Sequence, residues 1–144
     1  MRALLDVNVL IALFDSNHVH HGLVSDWLGA HLKAGWASCP ITQNGCLRIL
    51  SQPSYPNAVP AAQIAERLTA ATQHPAHEFW SDSFSLLSDT VDWQKILSSR
   101  HLTDVYLLAL ATQQGGRFVT LDRGIPLAAI AGAKAKNLLV LGGS

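Results

Sequence analysis

The sequence is short of charge, of cysteine and of long apolar runs, and each shortage closes off a class of protein. Charged residues make up 14% of its 144 residues, and ten lysines and arginines balance ten aspartates and glutamates. A net charge of zero gives no general pull toward nucleic acid, so any such role has to come from a local site. The two cysteines, Cys39 and Cys46, are too few for a disulfide scaffold. They fit a reduced, cytoplasmic setting as inert buried thiols. No run reaches the roughly 18 uninterrupted apolar residues of a membrane span. Arg2 followed by apolar residues imitates a secretory signal, but Asp6, Asn8 and Asp15 interrupt it and no clear cleavage site follows.

What the chain does have is apolar material. Hydrophobic residues make up 49% of it, enough for a sizeable core within one ordinary domain spanning 1–144. Residues 2–5 suit a short buried strand, followed by a helix over 7–14. Val19, Leu23, Val24, Trp27, Leu28 and Leu32 recur at helical spacing through 19–32. "WASCP" (36–40) reads as a strand stopped by Pro40, and "ITQNGCLRIL" (41–50) as a helix despite Gly45. The proline-containing stretch 51–60 and residues 73–78 read as loops. Pro60 suits a first helical turn, with Ile64, Ala65, Leu68 and Ala71 on one face. Residues 78–82 suit a short strand. Thr103 is placed to cap an apolar helix over 104–114, which Gly115 and Gly116 stop. "RFVTL" (117–121) and "NLLVL" (137–141) are apolar strands of the kind buried in parallel sheets. Short strands alternating with helices predict an α/β fold with a mostly parallel sheet.

Three aspartates fall at the ends of these elements. Asp6 follows the first strand, Asp104 opens a helix and Asp122 follows the strand 117–121. Each has an ordinary explanation: a helix cap, a complement to a helix dipole, a turn residue. Ligands of open α/β sheets bind beyond the carboxyl ends of the strands, however, and all three can meet there. Two carboxylates about 5 Å apart repel by roughly 3 kcal/mol at an effective dielectric near 20. A cluster of three therefore calls for a cation, and hard oxygen donors suit Mg²⁺ or Mn²⁺. Zn²⁺ fits less well, because no Cys/His ligand spacing is present.

The stretches "LLDVNVLIALFD", "CPITQNGCLRIL", "HLTDVYLLALA" and "FVTLDRGI" resemble the motifs of PIN-domain nucleases, and more narrowly those of the VapC-type toxins of type II toxin–antitoxin pairs. The resemblance runs from residue 4 to residue 125. It implies a three-layer α/β/α sandwich, commonly a homodimer. It implies a Mg²⁺- or Mn²⁺-dependent endoribonuclease that inhibits translation, held in check by a cognate antitoxin. Carried over by position, Asp6 and Asp104 resemble the main metal ligands, and Asp122 the fourth acidic position, holding metal or water. Asn8 resembles the small polar residue that helps orient Asp6.

One position departs from the pattern. Gln43 stands where the family places a glutamate. Glutamine keeps the shape but cannot act as a general base or offset a cation's charge. Three readings stand open. Gln43 is an engineered replacement that permits overproduction of a toxic nuclease, or a natural residue in a weakened enzyme, or another acid such as Glu78 takes the role. The isosteric swap amid intact surroundings favours the first, and the source genome's codon for position 43 decides it.

Among basic residues, Arg48 and Arg123 are candidates for RNA phosphate contacts, against an acid-paired or solvated alternative. Lys134 and Lys136 read as surface charges, and His18, His20 and His21 as a solvated loop. Trp27, Trp36, Trp80 and Trp93 read as core or interface rather than base-stacking platforms. Two other functions compete with the nuclease. An inactive module that only binds RNA or antitoxin draws support from Gln43. An aspartate-dependent phosphatase fits less well, because that chemistry wants a second aspartate where Asn8 stands.

Overall fold

The computed structural model describes residues 1–142. Five strands, β1 (Ala3–Leu5), β2 (Trp36–Ser38), β3 (His77–Phe79), β4 (Arg117–Thr120) and β5 (Leu138–Val140), form one sheet in the order β3-β2-β1-β4-β5. Every pairing is parallel. Between the strands run α1 (Val7–Phe14), α2 (His21–His31), α3 (Pro40–Leu50), α4 (Ala61–Thr72) and α5 (Leu102–Gln113), with short 3₁₀ turns.

Alternation along the strands divides the core between two faces. Ala3, Leu5, Trp36 and Val119 pack with Val9 and Leu10 of α1, Val24 of α2, Cys46 and Leu50 of α3 and Ile64 of α4. Leu4, Ala37 and Phe118 point the other way, onto α5 and onto Trp80, Ile125 and Ile130. This is the expected three-layer α/β/α sandwich. Both faces of the central strands are covered, so β1 and β4 read as almost unbroken apolar runs. Helix α5 is buried continuously from Asp104 to Ala111, which accounts for its lack of a polar stripe. Cys39 and Cys46 are free and buried, as expected.

The topology creates one special place. The chain leaves β1 outward through β2 to β3, then returns to lay β4 on the other side of β1. The direction of winding reverses between β1 and β4, and the connections diverge there to leave a crevice beyond the strands' carboxyl ends.

Several strands and helices begin or end a residue or two from the expected bounds, and the larger departures each have a local reason. Helix α2 starts at His21, because residues 15–20 make turns in which Asn17 N–H bonds Asp15 and His20 N–H bonds the His18 ring. Val19, expected on the apolar stripe, is exposed. Pro40 opens α3 as well as ending the strand segment, while the Thr42 hydroxyl accepts from Cys39 N–H. Pro60 sits at the cap of α4 rather than in its first turn. Strand β3 covers His77–Phe79 rather than 78–82, ending where Trp80 N–H bonds the Ser38 carbonyl. Thr103 does not cap α5: the 3₁₀ turn Ser99–His101 leads into the helix at Leu102, so Thr103 lies inside the first turn. Of the tryptophans, Trp36 and Trp80 are core, whereas Trp93 is half exposed.

Gly45, which weakens the helical pattern in sequence, is required by packing. A Cβ there would lie 2.7 Å from Val7 Cγ2 and 3.1 Å from Cγ1. Without it α1 and α3 approach closely, which fixes α3 beside the residue that follows Asp6. Gly45→Ala should therefore destabilise the fold by about 1–3 kcal/mol through overpacking, despite alanine's better helix propensity. In a Val7→Ala background the same substitution should cost little. A double-mutant cycle on urea unfolding midpoints checks this, and equal costs in the two backgrounds would refute the contact's role.

Candidate metal centre

Asp6 sits where β1 hands over to α1. Its N–H bonds the Val119 carbonyl at 2.9 Å, continuing the sheet ladder for one more residue. Its side chain caps α1, with Oδ1 accepting Val7 N–H at 2.7 Å. The capping explanation thus holds, but it uses only one oxygen. Oδ2 accepts the Thr120 hydroxyl at 2.6 Å, and the residue is almost fully buried.

Thr120 is the centre of this network. It ends β4, is wholly buried, and its Oγ1 also accepts Asp122 N–H at 3.0 Å. One hydroxyl therefore orients the Asp6 carboxylate and the backbone that carries Asp122. Asn8 acts through the same hub. Its side chain makes no hydrogen bond to Asp6: its amide donates to Thr120 Oγ1 at 3.5 Å, and its Oδ1 accepts Leu121 N–H at 3.3 Å. The help expected from Asn8 reaches Asp6 only by pinning residues 120–121.

Asp104 enters from the first turn of α5, mostly buried, and Asp122 stands exposed beyond β4. One carboxylate oxygen from each of Asp6, Asp104 and Asp122 lies within 4.8 Å of the others. The expected convergence at the β1/β4 switch point is present. Burial pushes the Asp6 carboxyl up to about 7; the Thr120 hydroxyl pulls against this, and Asp104 adds repulsion. Asp104 rises to about 6, from burial first and Asp122 second, with Arg100 opposing. Raised carboxyls crowded together lack positive charge. An all-oxygen donor set of this kind fits a hard divalent cation.

The basic residues are arranged differently from expectation. Arg48 is exposed in the last turn of α3, about 12 Å along the helix from its start at the strand edge. Arg123 is exposed and donates to the Gly142 carbonyl at 3.2 Å. Neither joins the carboxylates. Instead Arg100 and His101 line a cavity of about 270 Å³ with Asp104 and Asp122. His101 Nδ1 lies 3.7 Å from Asp104 Oδ2 and is buried without a hydrogen bond. The sequence carried a signal for both: they precede Asp104 by four and three residues, one helical turn. Thr120 gave no such signal.

Gln43 lies on the first turns of α3, and its amide donates to Ser38 Oγ at 2.9 Å, at the carboxyl end of β2. Glu78 does not replace the missing acid. One of its oxygens accepts Trp80 Nε1–H at 2.7 Å, the other faces Arg2 at 3.6 Å, and it lies outside the aspartate cluster.

Comparisons with known proteins place this geometry in a family. The PIN domain model matches residues 3–132, and the chain belongs to the PIN-domain family. Ribonuclease VapC44 of Mycobacterium tuberculosis is 48% identical over 142 residues, covering 98% of this chain and 100% of that protein. Ribonuclease VapC39 of the same organism is 43% identical over 135 residues, 92% and 96% of the two chains. Ribonuclease VapC38 is 40% identical over 124 residues, 85% and 86%. Within the family the chain therefore stands with the VapC ribonucleases.

Two predictions come from the centre itself. Asp6 and Asp104 bind protons more readily folded than unfolded, because both lie above their ordinary value of 3.8. Their stabilising contribution is full below about pH 4 and is lost as pH rises through about 6 to 7. The Tm of the cation-free chain should fall between about pH 5 and about pH 8, and an added divalent cation should restore more of it at the higher pH. Asp6→Asn should flatten the pH profile and remove most of the cation's effect; an unchanged profile would contradict the assignment. Thr120→Val should weaken cation binding about 10–100-fold, with Thr120→Ser keeping most of it, as read by calorimetric titration.

Proposed function

We propose that the chain is the toxin of a type II toxin–antitoxin pair, a divalent-cation-dependent endoribonuclease whose active site is the Asp6–Asp104–Asp122 cluster. The observation that carries this reading is the meeting of three carboxylates at the switch point, in a chain alike over its length to proteins named as ribonucleases. RNA is the substrate and translation the process inhibited. A small cognate antitoxin is the partner, and the working form is a cytoplasmic homodimer of one nuclease domain spanning 1–144. No helix among the described residues is long and apolar enough to cross a membrane.

Asp6, Asp104 and Asp122 would hold Mg²⁺ or Mn²⁺. When bound, such a cation supplies Lewis acidity toward a phosphate oxygen and makes water easier to deprotonate. The protein's own contribution is positional. Thr120 fixes Asp6, and through the Asp122 N–H it fixes the third carboxylate's backbone. The guanidinium of Arg100 faces the cavity that Asp104 and Asp122 line, and offers a fork for an RNA phosphate. Gln43 can accept or donate a hydrogen bond but takes no proton, so turnover by this sequence is weakened relative to a glutamate form.

A second reading has one observation in its favour. Gln43 is engaged with Ser38, which suits a module that binds RNA or antitoxin without cleaving. Cleavage assays on total cellular RNA, with and without Mg²⁺ or Mn²⁺, separate the two. Gln43→Glu should raise cleavage by about tenfold or more, in line with the usual worth of a positioned acid–base group. Asp6→Asn and Asp104→Asn should abolish it in that background. A folded Gln43→Glu protein that cuts no RNA and does not arrest growth would favour the binding module.

A further inference from the structure

A second polar chain runs from Gln43 through the carboxyl end of β2 to β3. Ser38, at the end of β2, is wholly buried. Its Oγ receives the Gln43 amide at 2.9 Å and lies 2.8 Å from His77 Nε2, at the start of β3. A serine beside a histidine suggests a nucleophile, but a hydroxyl with no exposed surface reaches no substrate.

The directions of these bonds are fixed by counting protons. Ser38 is wholly buried, so its hydroxyl proton has to go to one of its two partners; the Gln43 amide nitrogen is itself a donor, which leaves His77 Nε2. In the neutral ring Nε2 then has no proton and accepts. Ser38 has one hydroxyl proton, and Nε2 takes it. Ser38 Oγ is left to accept, and the amide of Gln43 supplies the donor. The Gln43 amide is oriented with its nitrogen toward Ser38, in agreement with this order. The surroundings agree with a neutral ring. Burial lowers the His77 pKa first; Arg2 also lowers it, while the Thr72 backbone and Glu78 oppose. The Trp36 ring packs against His77 with centroids 4.4 Å apart, and Arg2 is held by the carbonyls of Trp36 and Ala76.

A carboxylate at position 43 would reverse this order. It has no proton to give, so the Ser38 hydroxyl turns to donate to it. Ser38 Oγ then faces Nε2 as an acceptor, and Nε2 has to carry a proton. If Nδ1 also keeps its proton, the ring becomes an imidazolium and a counter-charge for the acid. We infer that Ser38 and His77 are positioning residues for side chain 43, forming a relay that runs from Gln43 toward His77 and runs the opposite way for glutamate. The value of this relay to catalysis rests on the nuclease reading of position 43; the relay itself does not.

Nitrogen-detected NMR of the His77 ring in the full chain, without cation or RNA, tests it. The chain as it stands should show a proton on Nδ1 and none on Nε2. Gln43→Glu should place a proton on Nε2 and raise the ring's titration midpoint by about one pH unit, a tenfold change in its protonation equilibrium. Ser38→Ala in both backgrounds should erase the difference between them. The same ring state with either residue at 43, or a difference that survives without Ser38, would overturn the relay. If Ser38→Ala does not fold, the comparison of the two forms at position 43 decides alone. Because no RNA is present, failure here leaves the nuclease reading standing, and absent cleavage leaves the relay standing.

Discussion

The bond from the Thr120 hydroxyl to the buried Asp6 carboxylate is the interaction on which the rest of the site depends. It joins the first strand's end to the fourth's, across the place where the winding of the sheet reverses. A carboxylate taken out of water and set near two others is unfavourable. Here that cost is offset in part by a backbone N–H and one hydroxyl. What remains shows as a carboxyl that holds its proton to about pH 7. The fold thus stores an electrostatic deficit where positive charge is wanted, and the packed layers on both faces hold it in place.

Structural and chemical explanations of these residues do not compete. Asp6 caps α1 with one oxygen and offers the other to the cluster. Asp104 lies in the first turn of α5, where its charge suits the helix dipole, and it also faces Asp122. A capping residue at a strand-to-helix junction is already aimed at the crevice, so a site of this kind needs few special backbone features. Gly45 serves the same end from outside the cluster, letting α3, which carries Gln43, pack closely on α1.

Much of this was legible in the sequence because it depends on periodicity and on strand ends. Apolar runs of four or five residues mark the parallel strands, and an aspartate after such a run falls on the carboxyl edge. Asp6 and Asp122 could be read in that way, and Asp104 as the acid at the start of an apolar helix. Arg48 and Arg123 could not be placed, because a long side chain's reach depends on its local partners. Arg123 is bound to the Gly142 carbonyl, and Arg48 rides at the far end of its helix. Thr120 was hidden for the opposite reason: a threonine in a strand agrees with β propensity, so its hydroxyl gave no warning. The Ser38–His77 contact joins neighbouring strands β2 and β3 and shows no local pattern. Thr103 suited a cap by residue type, but the turn before it supplied the helix start instead.

The reversal of winding also sets an order in time. Strand β4 docks on β1, its partner more than a hundred residues earlier in the chain, and contacts so distant form late. A nascent chain that has emerged only as far as α5 holds Asp6 and Asp104 but neither the hydroxyl that orients the first nor the third carboxylate. Ribosome-bound fragments and prematurely ended chains therefore lack an assembled centre. Whatever chemistry this edge performs is withheld until β4 and Asp122 have been made, a safeguard that comes from strand order alone.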